Sequence, residues 1–144
     1  MVATPKRYSI LITDDDRGVR ETLGEIVEAK GLRPVLAEDG EQAVEIVQHE
    51  PIHLVLLDYQ MPRLTGLETL QLVRQINHLL PAILITADAT RELMSAAFHA
   101  HVFSVVPKPV NPHVVLNTVI RALGRVYGTV DDPPPQPQFG EPTP

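Results

Sequence analysis

Carboxylates, a hydroxyl and an ammonium stand at the ends of short apolar runs in this sequence. Three consecutive aspartates, residues 14–16, follow the apolar run 10–13, while Asp58 and Thr86 each end another run and Lys108 follows a further one. Adjacent carboxylates repel and raise one another's pKa unless a cation, a hydrogen-bond donor or water relieves them. The three aspartates therefore need a charged partner or separate roles.

Five apolar runs of strand length alternate with segments of helical period. The runs cover residues 8–13, 33–37, 53–57, 82–86 and 102–106. Each is apolar on both faces, which is typical of strands in a parallel sheet that is covered by helices on both sides. The ligand crevice of such an open sheet lies beyond the carboxyl ends of the strands. The acidic residues, Thr86 and Lys108 should therefore share one edge.

The intervening segments carry the signals of five helices. The first has an apolar face that includes Leu23 and should end at residues 30–31, where a glycine suits the left-handed cap. Residues 39–42 and 65–68 have the spacing of a capping box, which predicts the starts of the second and third helices. A fourth helix is expected over about residues 90–100. A fifth should start at Asn111, with proline in the first helical position.

The composition limits the classes of function. The chain has 144 residues, no cysteine and a formal net charge of -6, which predicts one main domain and argues against a surface for nucleic-acid phosphates. It lacks cysteine-based chemistry, a signal-peptide pattern and an apolar run long enough for a bilayer, so we expect a soluble, cytoplasmic protein without membrane contact. Residues 131–144 hold six of the 14 prolines. We expect a domain over residues 1–128 and a disordered tail or linker over 129–144.

Four segments together closely resemble the receiver domain of two-component response regulators. They read TDDDR, LVLLDYQMPRLTG, ILITAD and VVPKPV, and the resemblance spans residues 6–127. It implies a flavodoxin-like, doubly wound α/β fold with five parallel strands in the order 2-1-3-4-5, an order for which the chemotaxis regulator is a standard example. It also implies that the protein is no enzyme beyond its own phosphorylation and dephosphorylation.

The resemblance assigns roles to the acidic residues. Asp58 matches the phosphoacceptor, with Met-Pro and glycine at the family's spacing after it. Asp15, Asp58 and the backbone carbonyl of Gln60 would bind Mg²⁺ directly, and Asp14 would bind it through water. Hard oxygen ligands of this kind suit magnesium. Asp16 is outside this set, and its place before a helix predicts an N-terminal cap.

Further positions match the family's phosphate-binding and switch residues. Lys108 would pair with Asp58 at rest and with a phosphoryl oxygen later, and its bond to Pro109 corresponds to a cis peptide. Thr86 would be the switch hydroxyl, and Ala87 the small residue that leaves room for the phosphoryl group. The aromatic residue that commonly accompanies this hydroxyl is replaced by Val105, which leaves the route of the switch open.

Three functional hypotheses remain at this point. The first is a receiver that takes a phosphoryl group from a sensor histidine kinase or a histidine phosphotransfer protein, with output through protein contacts such as a homodimer formed by helix 4, strand 5 and helix 5. The second is a receiver-like interaction module that works without phosphorylation. The third is a haloacid-dehalogenase-type phosphatase with Asp14 as nucleophile. That enzyme would need a later acidic pair, for which only residues 131–132 are available.

Overall fold

A computed structural model describes residues 7–128 of the chain. Strands and helices alternate strictly along this range. They are β1 (Ser9–Thr13), α1 (Arg17–Ala29), β2 (Arg33–Ala37), α2 (Gly40–His49), β3 (Leu54–Asp58), α3 (Gly66–Ile76), β4 (Ala82–Thr86), α4 (Arg91–His99), β5 (Ser104–Pro107) and α5 (Pro112–Tyr127). Among the described residues, no helix has the length and apolar character needed to cross a bilayer. The predicted tail, residues 129–144, lies outside the described range.

The five strands form one parallel sheet in the order β2-β1-β3-β4-β5, which confirms the predicted topology. β1, β3 and β4 are buried along their whole length. Successive side chains of a strand point to opposite faces, so Ile10 and Ile12 join a core with α1 and α5, while Leu11 joins a core with α2, α3 and α4. Helices thus cover both faces of the sheet, and the ends of the strands remain open to solvent-facing loops.

The helices begin where capping side chains satisfy free backbone N–H groups. Asp16 caps α1, Asn111 caps α5, and Thr65 forms a complete capping box with Glu68 at α3, all as predicted. Each such cap contributes about 1 kcal/mol. These caps also fix the loops that precede the helices, and three of those loops border the acidic edge.

The capping box predicted at residues 39–42 is only half present. Asp39 accepts a hydrogen bond from the Gln42 N–H, but the Gln42 side chain accepts from the N–H of Glu38 instead of that of Asp39. The start of α2 is unchanged by this difference. β5 begins at Ser104, two residues later than predicted, and the Val102 N–H still donates to Ala97 O of α4. The Phe103 N–H already donates to Ala82 O, at the start of β4.

Candidate functional site

Three carboxylates meet at the carboxyl-terminal edge of the sheet. Asp14 and Asp15 follow β1, and Asp58 is the last residue of the adjacent β3. One oxygen from each of the three lies within 4.8 Å of the others. Asp14 and Asp58 are each only 1% exposed, whereas Asp15 is exposed. The sheet therefore brings two buried and one exposed carboxylate together, as their positions at strand ends predict.

Asp14 is held in an environment that disfavours its charge. Its Oδ1 accepts the Asp16 N–H at 2.8 Å, while its Oδ2 is buried without a hydrogen-bond partner. Burial raises the pKa of Asp14 from 3.8 to about 6; the Asp16 hydrogen bond opposes this rise, and the charge of Asp58 adds to it. An added cation at this position would relieve an unfavourable buried charge.

Asp58 has a cationic partner in Lys108. The Lys108 Nζ lies 3.1 Å from Asp58 Oδ1, which is the resting pair that the resemblance implies, and Asp58 Oδ2 is buried without a partner. Burial raises the pKa of Asp58 even though Lys108 opposes the rise. Burial lowers the pKa of Lys108, but the hydrogen bond and charge of Asp58 outweigh it and the net direction is upward.

The loop after β5 places this lysine. The Lys108 backbone N–H donates to Thr86 O at 2.8 Å, which continues the pairing of β5 with β4 beyond the end of the strand. The Lys108-Pro109 peptide bond is cis, as the resemblance implies. The Lys108 side chain is 28% exposed, so solvent reaches it while Asp58 stays buried.

The donor set of this edge fits a divalent cation with a preference for oxygen. Two buried carboxylate oxygens lack hydrogen-bond partners, and a third carboxylate faces solvent. Mg²⁺ prefers a few carboxylate ligands and keeps several waters, which this arrangement of buried and exposed oxygens allows. The predicted ligand Gln60 adjoins the site, since its N–H points to Asp58 Oδ1 at 3.3 Å.

Thr86 reaches the same edge at the end of β4 and is 1% exposed. Its hydroxyl donates to Asp88 O at 3.2 Å and accepts the Asp88 N–H at 3.1 Å. The hydroxyl is therefore engaged with its own loop and would have to leave these partners to bind another group. Ala87 follows it directly and is exposed.

Val105 packs on the side of the sheet that carries α4. It is half-buried against the core that includes Leu93 and Ala97. Phe103 belongs to the opposite core, where the Arg121 guanidinium carbon lies 5.9 Å from its ring centroid. Phe103 therefore occupies the other face of the sheet and does not stand in for the aromatic residue missing at Val105.

Two residues at this edge make close contacts that the sequence interpretation did not predict. Arg20 of α1 donates from Nη1 to the backbone oxygen of Asp14 at 2.8 Å, which ties the acidic loop to the helix. Gly66 begins α3 so close to β3 that a Cβ atom there would lie 2.7 Å from Asp58 O. The family-like spacing of Gly66 after Asp58 was noticed, but no sequence signal marked Arg20.

The profile of the response regulator receiver domain matches residues 10–120. The chain is 34% identical over 124 residues to the response regulator RR06 of Streptococcus pneumoniae, covering 86% of this chain and 56% of that protein. It is also 34% identical over 118 residues to the transcriptional regulatory protein CpxR of Escherichia coli, covering 82% of this chain and 50% of that protein. The chain thus spans about half the length of these curated relatives.

Solved structures agree with the sequence match. A CheY-like response regulator receiver domain protein from Methanospirillum hungatei is similar with a TM-score of 0.79 at 25% identity, and the match covers 83% of this chain and 96% of that one. The sheet order, the position of the acidic edge and the profile match lead to the same result. The chain belongs to the response regulator receiver domain family.

Proposed function

We propose that this protein is a phosphoacceptor switch in a two-component phosphorelay. In this proposal Asp58 accepts a phosphoryl group from a phosphohistidine of a sensor histidine kinase or a histidine phosphotransfer protein, which would place the reaction in the cytoplasm. The observation that carries the proposal is the convergence of Asp14, Asp15 and Asp58 within 4.8 Å, with Lys108 paired to Asp58. A carboxylate nucleophile, a cation and acidic metal ligands are the groups that such a transfer requires.

Asp58 is the best placed nucleophile of the three. Its Oδ2 has no hydrogen-bond partner, and Lys108 beside Oδ1 favours the ionised form that must attack. Attack on phosphorus forms the Asp58 O–P bond and breaks the P–N bond of phosphohistidine, so that the donor histidine leaves with the electron pair of that bond. The resulting acyl phosphate is a labile mixed anhydride, which suits a transient signal.

The acidic residues would hold Mg²⁺ through Asp15, Asp58 and the Gln60 carbonyl, with Asp14 acting through water. When bound, the ion would neutralise charge on the transferred group. Lys108 would move from Asp58 Oδ1 to a phosphoryl oxygen and stay charged there. Ala87 adds little bulk at this edge, which leaves space for the three phosphoryl oxygens.

The output in this proposal is a change in protein contacts. The Thr86 hydroxyl would leave the Asp88 backbone and donate to a phosphoryl oxygen, which would pull the end of β4 and the loop before α4. Val105 cannot supply an aromatic rotamer change, so the signal would pass by movement of that loop and α4. We propose the face of α4, β5 and α5 as the contact surface, including formation of a homodimer. Met94 and Phe98 of α4 are exposed on the monomer.

Mass spectrometry of the intact protein tests this function after incubation with acetyl phosphate and Mg²⁺. We expect one phosphoryl adduct on the wild type, no adduct on Asp58→Asn, and an adduct on the control Asp16→Asn. Asparagine caps a helix as well as aspartate does, so the control keeps the loop and changes only a neighbouring charge.

Two other outcomes would contradict the proposal. An adduct that survives Asp58→Asn and disappears in Asp14→Asn would identify Asp14 as the nucleophile, as the phosphatase hypothesis requires. A folded wild type that gains no adduct from acetyl phosphate or from a phosphohistidine donor would favour an interaction module. That alternative retains one supporting observation, the missing aromatic residue at Val105.

A further inference from the structure

The loop between β3 and α3, residues 59–65, carries Gln60 and is closed tightly at its base. The Gly66 N–H donates to Tyr59 O at 2.9 Å. A Cβ atom at Gly66 would lie 2.7 Å from Asp58 O and 2.8 Å from Leu84 Cδ1, closer than real Cβ contacts allow. The two ends of the loop are therefore held close together, and the shape of the loop depends on the contacts of its middle residues.

Arg63 at the middle of this loop is held by α2. Its φ is 71°, in the left-handed region that residues other than glycine seldom adopt. Its guanidinium reaches two carboxylates of α2 and its cap, with Nε 2.8 Å from Glu41 Oε1 and Nη2 2.7 Å from Asp39 Oδ2. The planar fork of arginine suits such a double contact, which fixes the direction of the side chain as well as its charge.

The first turn of α2 is itself a fixed point. Asp39 uses its other oxygen to cap the helix by accepting the Gln42 N–H at 2.8 Å. Gly40 packs so closely that a Cβ atom there would overlap Thr69 Oγ1 and lie 3.0 Å from Leu64 Cβ. The loop thus contacts α2 in two ways. Leu64 packs against Gly40, and Arg63 forms ion pairs with Asp39 and Glu41.

We infer that Arg63, held by Asp39 and Glu41, is a positioning residue that fixes loop 59–65 so that the Gln60 carbonyl can serve a cation at Asp15 and Asp58. The inference rests on the proposed function. The Arg63 side chain is 57% exposed, and exposed ion pairs contribute little to folding. The unusual backbone angle and the double contact act mainly on the shape of this loop.

The charge of Arg63 gives the test its direction. If arginine acted only through long-range electrostatics, its removal would strengthen Mg²⁺ binding, because a positive charge repels the ion. If it positions the loop, its removal weakens Mg²⁺ binding. The Arg63→Asn variant separates the two, since asparagine tolerates a positive φ and lacks the guanidinium. Isothermal titration of the full chain with MgCl2 measures the affinity, and urea unfolding in EDTA measures the stability.

We expect Arg63→Asn to weaken Mg²⁺ affinity about threefold, with little change in the unfolding midpoint in EDTA. Asp39→Asn keeps the helix cap, so in an Asp39→Asn and Glu41→Gln background Arg63→Asn should add no further loss. This non-additivity identifies contacting residues. Arg33→Gln is the matched control, since its ion pair with Glu50 joins β2 to the end of α2 at the opposite edge of the sheet. It should leave Mg²⁺ affinity unchanged.

Equal or tighter Mg²⁺ binding by Arg63→Asn would overturn this inference and leave the proposed function intact. If Arg63→Asn weakens Mg²⁺ binding as much in the Asp39→Asn and Glu41→Gln background as it does in the wild type, the inference is also overturned, because Arg63 would then act without its contacts to α2. A wild type that binds no Mg²⁺ and gains no phosphoryl adduct would refute the proposed function itself.

Discussion

The buried charge of Asp14 should lower the stability of the protein when no metal is present. Its pKa rises from 3.8 to about 6 on folding, chiefly through burial. At about 1.4 kcal/mol per pH unit, this difference corresponds to about 3 kcal/mol of stability. Because the folded pKa lies above the unfolded one, the contribution of Asp14 falls as pH rises from about 4 to about 6 and stays lost above that range.

Asp14→Asn removes the charge while keeping the shape. The amide oxygen can still accept the Asp16 N–H, which donates to Oδ1 at 2.8 Å in the wild type. In EDTA at pH 7.5 we expect the variant to be more stable than the wild type by up to about 3 kcal/mol. The gap should narrow between pH 6 and pH 4 and close near pH 4, where the wild-type carboxyl is protonated. Urea denaturation at a series of pH values measures both effects.

Asp15→Asn is the matched control for this experiment. It makes the same change in the next residue, but the Asp15 carboxylate is exposed and keeps its hydration. It should therefore alter stability in EDTA by less than about 0.5 kcal/mol. A less stable Asp14→Asn variant at pH 7.5, or a variant whose stability changes between pH 4 and pH 6 just as the wild type does, would refute the assignment of a costly buried charge to Asp14.

Three further changes follow from the same contacts. Lys108→Met leaves the buried Asp58 charge without its cation, and we expect a loss of about 2 kcal/mol in the free energy of unfolding at pH 7.5 in EDTA. Burial raises the pKa of Asp58, so this loss should shrink as the pH falls and Asp58 takes up a proton; a loss that is independent of pH would contradict this. Gly66→Ala places a Cβ against Asp58 O and should cost about 1–3 kcal/mol in urea unfolding; a neutral variant would show that α3 can shift away. His101→Gly relieves a φ of 54°, and we expect a gain of about 0.5 kcal/mol from the balance of relieved strain and added chain entropy; a clear loss in urea unfolding would show that the imidazole makes a needed contact.

The sequence predicted the features that local chemistry determines. Strands appeared as apolar runs, and the caps at Asp16, Thr65 and Asn111 were visible because a cap and its partner lie within three residues. The meeting of Asp14 and Asp58 was predicted because both stand at the carboxyl ends of strands, which share one edge of the sheet. The resting pair of Lys108 with Asp58 and the cis peptide after Lys108 came from the resemblance, since no local pattern specifies them.

Contacts between distant residues escaped the sequence interpretation. Arg63 and Asp39 are 24 positions apart. Nothing in the local sequence around either residue indicates that the loop arginine contacts the N-cap of α2. The left-handed backbone of His101 also escaped the sequence interpretation, because its φ is 54° and glycine, not histidine, is the residue that adopts such an angle without strain.

The carboxyl-terminal end of α5 is hydrogen-bonded to the residue that precedes β3. The Tyr127 hydroxyl donates to His53 O at 2.7 Å, and its ring packs against Tyr8 and His53. Burial, together with Tyr8, raises the pKa of Tyr127 to about 12, so this phenol remains a donor throughout the ordinary pH range.

This contact fixes the place in the domain at which the described residues end, at residue 128. α5 starts beside the lysine loop and runs for 16 residues, or about 24 Å at 1.5 Å per residue, before it ends at the amino-terminal edge of the sheet. The described chain thus ends at the pole opposite the carboxylates. If Asp58 accepts a phosphoryl group, the resulting change has to cross the height of the domain to affect residues attached after residue 128, and both α5 and the shorter β3 span that height.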